Sequence, residues 1–177
     1  TKLPTYRPRG RIDYQLIYVY AGQAHFHFDK EENDTIVTAG NMVLYRPKEE
    51  QRYYYYGVDQ TEVYWVHFTG GNVKNILRKY GIADDVHVIH TGTSLEYKRI
   101  FLQIIQELKL CKEDYEELLV NHLQHLLILL HRTINSKPRG KNHVLMQEMD
   151  SAVRYFHKNY SKPISIEEFA AEHHMSV

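Results

Sequence analysis

The chain lacks several features that mark particular classes of protein. Among its 177 residues there is one cysteine, Cys111, so no disulfide can form within the chain, and this suits a reducing compartment. The 22 basic and 22 acidic residues leave no formal net charge, whereas a self-sufficient nucleic-acid-binding domain usually carries a basic excess. The sequence has no secretory signal pattern and no apolar run long enough to cross a bilayer. We therefore expect a cytoplasmic protein without contact to a membrane.

Recognisable catalytic patterns are also missing. The sequence contains no Gly-x-Ser-x-Gly nucleophile elbow and no glycine-rich phosphate loop. Cys111 has no obvious base beside it, so a buried or idle thiol is the favoured interpretation. These absences favour binding over catalysis, and we expect neither catalytic residues nor a cofactor.

The first part of the chain, to about Thr69, predicts short strands separated by turns. β-Branched and aromatic residues dominate segments that glycine or polar residues separate, namely 14–20, 23–28, 35–38, 42–45, 52–56 and 62–68. Ala21 and Gly22 predict a hairpin between the first two of these strands. Strands of this length and spacing indicate a sandwich or a barrel.

After Gly71 the apolar period changes from that of a strand to that of a helix. A short helix is expected to end at Gly81, a longer one to begin after Ser94, and a third to begin near Asp114. A connection with a brief strand is expected between the first two. The third helix carries a leucine stripe that predicts a dimer seam, packing against the barrel, or both: Leu119, Leu123, Leu126 and Leu130.

The last part of the chain predicts the beginning of a helix-turn-helix. Ser165 and Glu168 have the spacing of a capping box at a helix start. Met175-Ser176 then predicts a turn into a second helix, the one that enters the major groove in such motifs. With the helix predicted at 149–160, the segment 164–177 resembles the start of the DNA-binding domain of AraC/XylS-family transcription factors. An ordinary amphipathic helix is the alternative.

The β-rich half resembles the cupin-like effector-binding domain of the same family. The matching pieces are residues 11–22, 39–47 and 64–70. The resemblance implies an α+β protein with a cupin-like β-barrel (jelly roll) at 1–92 and a helical dimerisation segment at 93–136. A linker at 137–143, indicated by proline and glycine, would precede a truncated helix-turn-helix domain at 144–177. It also implies a homodimer whose intact form binds DNA, although not through the residues printed here.

Many cupins are metalloenzymes, and the resemblance indicates where their ligands would lie. When the glycines of the two cupin motifs are aligned with Gly22 and Gly40, the ligand positions are occupied by Arg9, Arg11, Gln15 and Gln51. Arginine keeps its proton and has no lone pair to give to a metal. We therefore expect no metal site at these positions.

His25 and His27 are the other candidates for a metal site, because they share one face of a predicted strand. If Gln15 and its alternate neighbours face the barrel interior, then Phe26 and Phe28 do so too. The two histidines would then point outward, which favours surface or domain-contact roles over a metal site.

Without a metal, the barrel interior predicts a pocket for a small-molecule effector. Alternation along the strands, together with the first motif, predicts its lining, and Val63 shares the face of Trp65: Arg9, Arg11, Gln15, Gln51, Tyr53, Tyr55, Trp65 and His67. Aromatic rings can stack on sugar rings, and the polar side chains can bind hydroxyls or a carboxylate. The alternative is that the aromatic residues simply fill a packed core.

The resemblance adds that Tyr53 and Trp65 match ligand-contacting positions in sugar-binding relatives, whereas Ala21 stands where some relatives have a sugar-binding arginine. We therefore expect an effector-binding and dimerisation domain of a bacterial regulator, with a carbohydrate as the favoured effector. The alternatives are a metal-dependent cupin enzyme, such as a sugar isomerase or dioxygenase, and a dimerisation module that binds no ligand.

Overall fold

A computed structural model describes residues 2–28, 33–135, 152, 155 and 165–172. Its strands are β1 Lys2–Arg7, β2 Tyr14–Ala21, β3 Gln23–His27, β4 Thr35–Thr38, β5 Asn41–Tyr45, β6 Gln51–Tyr56, β7 Glu62–Phe68 and β8 Val88–His90. Its α-helices are α1 Val73–Lys79, α2 Leu95–Leu110, α3 Tyr115–Asn135 and α4 Ile166–Glu172, and a 3₁₀ turn covers Gly57–Asp59. None of the helices that the structure describes is long and apolar enough to span a bilayer.

The strands form two antiparallel sheets of four strands each. The outer sheet has the order β1-β6-β3-β4, and the central sheet has the order β7-β2-β5-β8. Between them lies the inter-sheet core, to which both sheets contribute: Ile17, Val19, Ala24, Phe26, Phe28, Val37, Val43, Tyr45 and Tyr53. This arrangement confirms the predicted α+β fold with an N-terminal β-sandwich.

The central sheet is buried on both faces, and this explains the composition of its middle strand. Six consecutive residues of β2, from Gln15 to Tyr20, are buried. Ile17 and Val19 face the inter-sheet core, whereas Leu16 and Tyr18 face the helices. We call this second layer of packing, between the central sheet and helices α1 to α3, the helix-side core. A strand covered on both sides needs apolar residues at every position, not at alternate ones.

The predicted hairpin between the first two strands is wrong. β2 pairs with β5 and β7, whereas β3 pairs with β4 and β6, so the two consecutive strands belong to different sheets. Gly22 makes the corner between them with φ of 71°, and a Cβ there would lie 2.4 Å from the backbone oxygen of Asp59. Phe26 and Phe28 nevertheless face inward as expected, because both sheets turn one face to the same core.

Strand β1 was not predicted from the sequence. It pairs with β6 along its whole length, from Lys2 opposite Tyr56 to Arg7 opposite Gln51. Pro4 and the charged residues argue against a central strand, but an edge strand tolerates proline because one side needs no ladder hydrogen bond. The alternation of residues between the two faces of the strand is present in the sequence, but the proline and the charged residues obscure it.

The helices α1 to α3 begin and end close to their predicted boundaries. The Ser94 side chain accepts a hydrogen bond from the Glu96 backbone N–H at 3.1 Å, as an N-cap does. The hydroxyl of buried Tyr18 accepts a hydrogen bond from the Ser94 backbone N–H at 3.1 Å, which fixes the start of α2 on the central sheet. Cys111 ends α2 with a φ of 43° and is exposed, so the interpretation as a buried thiol is wrong.

The leucine stripe of α3 packs within the single chain. Leu126 and Leu130 are fully buried in the helix-side core, and Leu119 and Leu123 are half-buried against it. Fully buried side chains offer no surface to a second copy, so Leu126 and Leu130 do not form an exposed dimer seam. Their position agrees with the alternative prediction, in which the leucine stripe packs within its own chain.

Helix α4 lies where the first helix of the predicted helix-turn-helix was expected, and the Ser165 hydroxyl donates to the Glu167 carboxylate at 2.9 Å. The predicted linker at 137–143, almost all of the predicted helix at 149–160 and the turn at Met175-Ser176 lie outside the described residues. The domain boundaries and the DNA-binding motif stay predictions.

Candidate ligand pocket between the two sheets

A pocket of about 230 Å³ opens between the sheets on the side where β1 and β7 are the edge strands. Four strands supply its lining: Thr5 and Arg7 from β1, Tyr53 and Tyr55 from β6, Gln15 and Ile17 from β2, and Val63, Trp65 and His67 from β7. The lining therefore combines aromatic rings, amide and hydroxyl groups, and one cation.

Strand register brings these side chains together. In the outer sheet Thr5 lies opposite Tyr53, and Arg7 lies opposite Gln51. In the central sheet Gln15 lies opposite His67, and residues two apart on a strand share one face. Each edge strand thus places alternate side chains beside those of its inner neighbour.

The structure brings together most of the predicted site residues. Gln15, Tyr53, Tyr55, Trp65 and His67 line the pocket, and Ile17 and Val63 share their face as expected. Gln51 is fully buried behind Arg7. Ligand binding by any of these residues stays a prediction, but their convergence on one pocket is a structural fact.

Arg9 and Arg11 do not line the pocket, and this corrects the predicted lining. Arg9 is exposed, and Arg11 makes a two-pronged ion pair with Asp13, with Nε to Oδ1 at 2.7 Å and Nη2 to Oδ2 at 2.9 Å. Both residues lie in the turn region after β1 rather than on a strand, so strand alternation does not apply to them.

Thr5 and Arg7 are the lining residues that sequence reasoning missed. Their position follows from β1, whose alternation places Leu3, Thr5 and Arg7 on one face and Tyr6 on the other. The motif alignment pointed to Arg9 and Arg11, which lie further along the chain than Arg7.

Two buried amides, one on each sheet, carry unpaired atoms. The Gln51 Oε1 accepts a hydrogen bond from Arg7 Nη1 at 2.8 Å, whereas its Nε2 has no partner among the described residues. The Oε1 of Gln15, which is 3% exposed, is likewise unpaired there. Leaving a buried polar atom unpaired costs about 1–3 kcal/mol. Of the two amides, Gln15 lines the pocket, so its Oε1 is an unpaired acceptor at the pocket wall, whereas Gln51 is fully buried and is not part of the lining.

His67 stands beside the ion pair of Arg11 and Asp13, with its Nδ1 at 3.7 Å from Asp13 Oδ1. Burial, followed by the positive charge of Arg11, lowers the pKa of His67, and the opposing effect of Asp13 is smaller. The hydrogen bonds from Arg11 hold the pKa of Asp13 below its ordinary value. Near neutral pH the imidazole is therefore uncharged and can donate or accept a hydrogen bond.

The aromatic residues of the lining differ in their burial. Tyr53 is buried and packs against Phe26, with ring centroids 5.3 Å apart, and burial raises the pKa of Tyr55, which keeps its hydroxyl protonated. Trp65, by contrast, is 55% exposed at the mouth of the pocket. Tyr53 thus supports the fold, whereas the Trp65 ring is free to cover a ligand.

The two histidines of β3 lie on the solvent face of the outer sheet, as expected. The His25 ring stacks on Tyr54 with centroids 4.8 Å apart, and the Nδ1 of His27 lies 3.1 Å from Asp34 Oδ1. Within the described part of the chain, no three His, Cys, Asp or Glu side chains are placed to hold a metal ion together.

A second pocket, of about 280 Å³, lies between α1 and the end of the central sheet. Its charged side chains already have partners: Arg46 Nη2 donates to the backbone oxygens of Ala83 and Val86 at 2.6 and 3.0 Å, and Lys74 pairs with Asp84 at 3.2 Å. These contacts connect the elements, so the inter-sheet pocket is the stronger candidate for a ligand.

Comparisons with known proteins agree with this architecture. The family model described as AraC-like ligand binding domain matches residues 3–147. An apo variant of ToxT from Vibrio cholerae strain SCE256 is similar in structure, with 13% identity, a TM-score of 0.51, and coverage of 98% of this chain and 67% of that one. At this identity the likeness shows a shared fold only.

Two further structures are similar at TM-scores below 0.5. The AraC-like transcriptional activator CuxR has 13% identity and a TM-score of 0.44, with coverage of 99% of this chain and 64% of its own. Wild-type ToxT from the same Vibrio cholerae strain, bound to an unsaturated fatty acid, has 14% identity and a TM-score of 0.45, with coverage of 98% and 65%. No curated protein sequence matches the chain. The chain thus spans about two thirds of the length of these proteins.

Proposed function

The chain belongs to the family of AraC-like ligand-binding domains, and from this premise we propose that it senses a carbohydrate effector for a cytoplasmic bacterial regulator. We further propose that it dimerises and that a separate domain of the intact regulator binds DNA. Its own biochemistry is then ligand binding and not catalysis. Occupancy of the pocket would change the placement of the paired DNA-binding domains.

The composition of the inter-sheet pocket is the observation that supports a carbohydrate. A sugar presents hydroxyl groups around a ring with apolar C–H faces. The exposed Trp65 ring offers a stacking surface, and the unpaired Oε1 of Gln15 offers an acceptor at the pocket wall. An apolar ligand would leave this oxygen unpaired, at a cost that a polar ligand avoids.

A metal-dependent cupin enzyme finds less support in the described residues. Of the four positions where such enzymes carry metal ligands, Arg9 is exposed, Arg11 is paired with Asp13, and the other two hold the amides Gln15 and Gln51. These groups do not converge on one point, and none of them is a strong ligand for a divalent metal.

Titration calorimetry of the chain against a panel of mono- and oligosaccharides tests the carbohydrate proposal. At least one sugar is expected to bind saturably, and Trp65→Ala is expected to weaken it at least ~10-fold, which corresponds to about 1.4 kcal/mol. Tyr6→Ala is the matched control, because Tyr6 is a similarly exposed aromatic residue, at 62%, on the opposite face of an edge strand. Equal loss in both variants, or no binding of any sugar, would contradict the proposal.

Four exposed apolar side chains on either side of the α2–α3 connection support dimerisation: Leu108, Leu110, Leu118 and Val120. Contiguous exposed apolar surface is typical of contact surfaces, and these four residues lie near the two helix ends that the connection joins. Sedimentation velocity is expected to show a dimer at micromolar concentration, and Leu118→Glu is expected to shift it toward monomer. A monomeric wild-type chain would contradict this part of the proposal.

A further inference from the structure

Arg7 is the only permanently charged side chain among the described residues that line the inter-sheet pocket. It is half-buried, and no carboxylate of the described residues lies within ion-pairing distance of its guanidinium. Other arginines do have such partners: Arg11 pairs with Asp13, and Arg78 pairs with Asp84. The pocket therefore carries one uncompensated positive charge.

The geometry around Arg7 leaves most of its hydrogen-bonding capacity unused. A guanidinium has five N–H donors, and among the described residues its one hydrogen bond is from Nη1 to the Gln51 Oε1 at 2.8 Å. That bond holds the side chain against the wall of the pocket, because Gln51 is itself fully buried. An arginine fixed in this way suits a carboxylate, which accepts two parallel N–H hydrogen bonds from the guanidinium fork.

The charge balance limits the class of anion. Among the described lining residues, the positive charge is that of Arg7 alone, since the pKa of His67 is lowered and the imidazole is neutral near pH 7. A carboxylate brings one negative charge, which Arg7 can neutralise. A phosphate monoester brings nearly two, and its second charge would be desolvated without a partner.

The volume and the remaining lining limit the rest of the ligand. About 230 Å³ lies below the range of roughly 300–1,000 Å³ that is typical of sites for drug-sized ligands. One sugar ring suits this space better than a long acyl chain. Trp65, Tyr55 and Gln15 all line the pocket, and Gln15 adds an unpaired oxygen atom to its wall.

We propose that the effector is an acidic monosaccharide of the hexuronate class, with its carboxylate bound by Arg7 and its ring covered by Trp65. This inference rests on the proposed function, because it takes the pocket to be a carbohydrate site. It adds the charge of the ligand, its size, and the residue that selects it.

The test is calorimetry at low ionic strength with galacturonate and glucuronate, each paired with its neutral counterpart, galactose or glucose. A hexuronate is expected to bind at least ~10-fold more tightly than its neutral counterpart, and added salt is expected to reduce this ratio. Arg7→Gln is expected to reduce the affinity ratio of hexuronate to neutral sugar below about threefold, without weakening the binding of the neutral sugar. Arg7→Lys, which keeps the charge but not the fork, is expected to give an intermediate ratio.

Arg9→Gln is the matched control, because Arg9 carries the same charge two residues away and is exposed outside the pocket. Its ratio is expected to equal that of the wild type, and thermal melting identifies any variant that fails to fold. Equal binding of neutral and acidic sugars, or tighter binding of a hexose phosphate, would overturn the inference and leave the carbohydrate proposal standing. If no sugar binds, or if only a fatty acid does, both proposals fail.

Discussion

The two faces of the central sheet show how one sheet can serve stability on one side and recognition on the other. On the helix side, the polar groups of the buried tyrosines have partners: Tyr18 accepts from the Ser94 N–H, and the Tyr97 hydroxyl lies 2.7 Å from Thr133 Oγ1. On the pocket side, the Oε1 of Gln15 has none among the described residues. An unpaired buried group at one face and paired ones at the other are what a binding site built on a stable scaffold requires.

The largest effect on stability is expected from a cavity created in the helix-side core. Leu126→Ala removes a fully buried side chain from beneath the central sheet and is expected to lower the free energy of unfolding by about 2–5 kcal/mol. Urea denaturation measures the loss. Gln124→Ala, at an exposed position of the same helix, is expected to change it by no more than about 0.5 kcal/mol. Similar losses in the two variants would show that α3 does not pack as described.

A smaller loss of stability is expected at Tyr18, whose buried hydroxyl connects the central sheet to helix α2. Tyr18→Phe keeps the ring, which stacks on Phe101, but removes the acceptor of the Ser94 N–H. The free energy of unfolding is expected to fall by about 1 kcal/mol, since one buried donor loses its partner. Urea denaturation measures the change. Faster amide hydrogen exchange in the first turn of α2 would show that the loss of stability is located there. An unchanged exchange rate there would count against this connection.

The same kind of polar-to-apolar change on the pocket side is expected to have the opposite sign. Gln15→Leu removes an unpaired buried oxygen, so the free energy of unfolding is expected to stay equal or to rise by up to about 1 kcal/mol. Affinity for the ligand is expected to fall, because an acceptor has been lost. The comparison of the two faces breaks down if this variant is destabilised as much as Tyr18→Phe.

The smallest effect on stability is expected from a change of pH. Burial and the charges of Arg11 and Arg7 lower the pKa of His67, against the weaker opposite effect of Asp13. Between the lowered pKa and the ordinary value of 6.5, the unfolded chain binds more protons than the folded one, so stability falls as pH drops through this window. His67→Gln is expected to reduce this pH dependence. Urea midpoints at pH 7.5 and 5.5 for both proteins measure it, and equal slopes would show that His67 does not contribute.

The predictions from sequence succeeded for strands with clear β-branched and aromatic patterns and failed at β1 and at the corner after β2. The inward face of β2 could be assigned from the motif position of Gln15, because Ile17 and Val19 share its face of the strand. The corner at Gly22 could not, because a glycine turn looks alike whether the next strand stays in the sheet or crosses to another. That choice depends on long-range pairing with β4 to β7.

The site shows the same limit. Trp65 and His67 could be placed because β7 alternates clearly, whereas Arg7 could not, because a proline and charges conceal edge strand β1. The predicted seam of α3 depended on a different ambiguity: an apolar stripe indicates what a helix face buries, but not whether the covering surface is the same chain or another. Leu126 and Leu130 are covered by their own chain.

Strand β2 also sets a mechanical constraint. Ile17 lies on the wall of the pocket, and its neighbour Tyr18 reaches the first turn of α2 through Ser94. A peptide plane joins the two residues, so a backbone displacement at the pocket wall would reach the first turn of α2 through one covalent link and one hydrogen bond. Strand β2 thus connects the wall of the pocket directly to the start of helix α2.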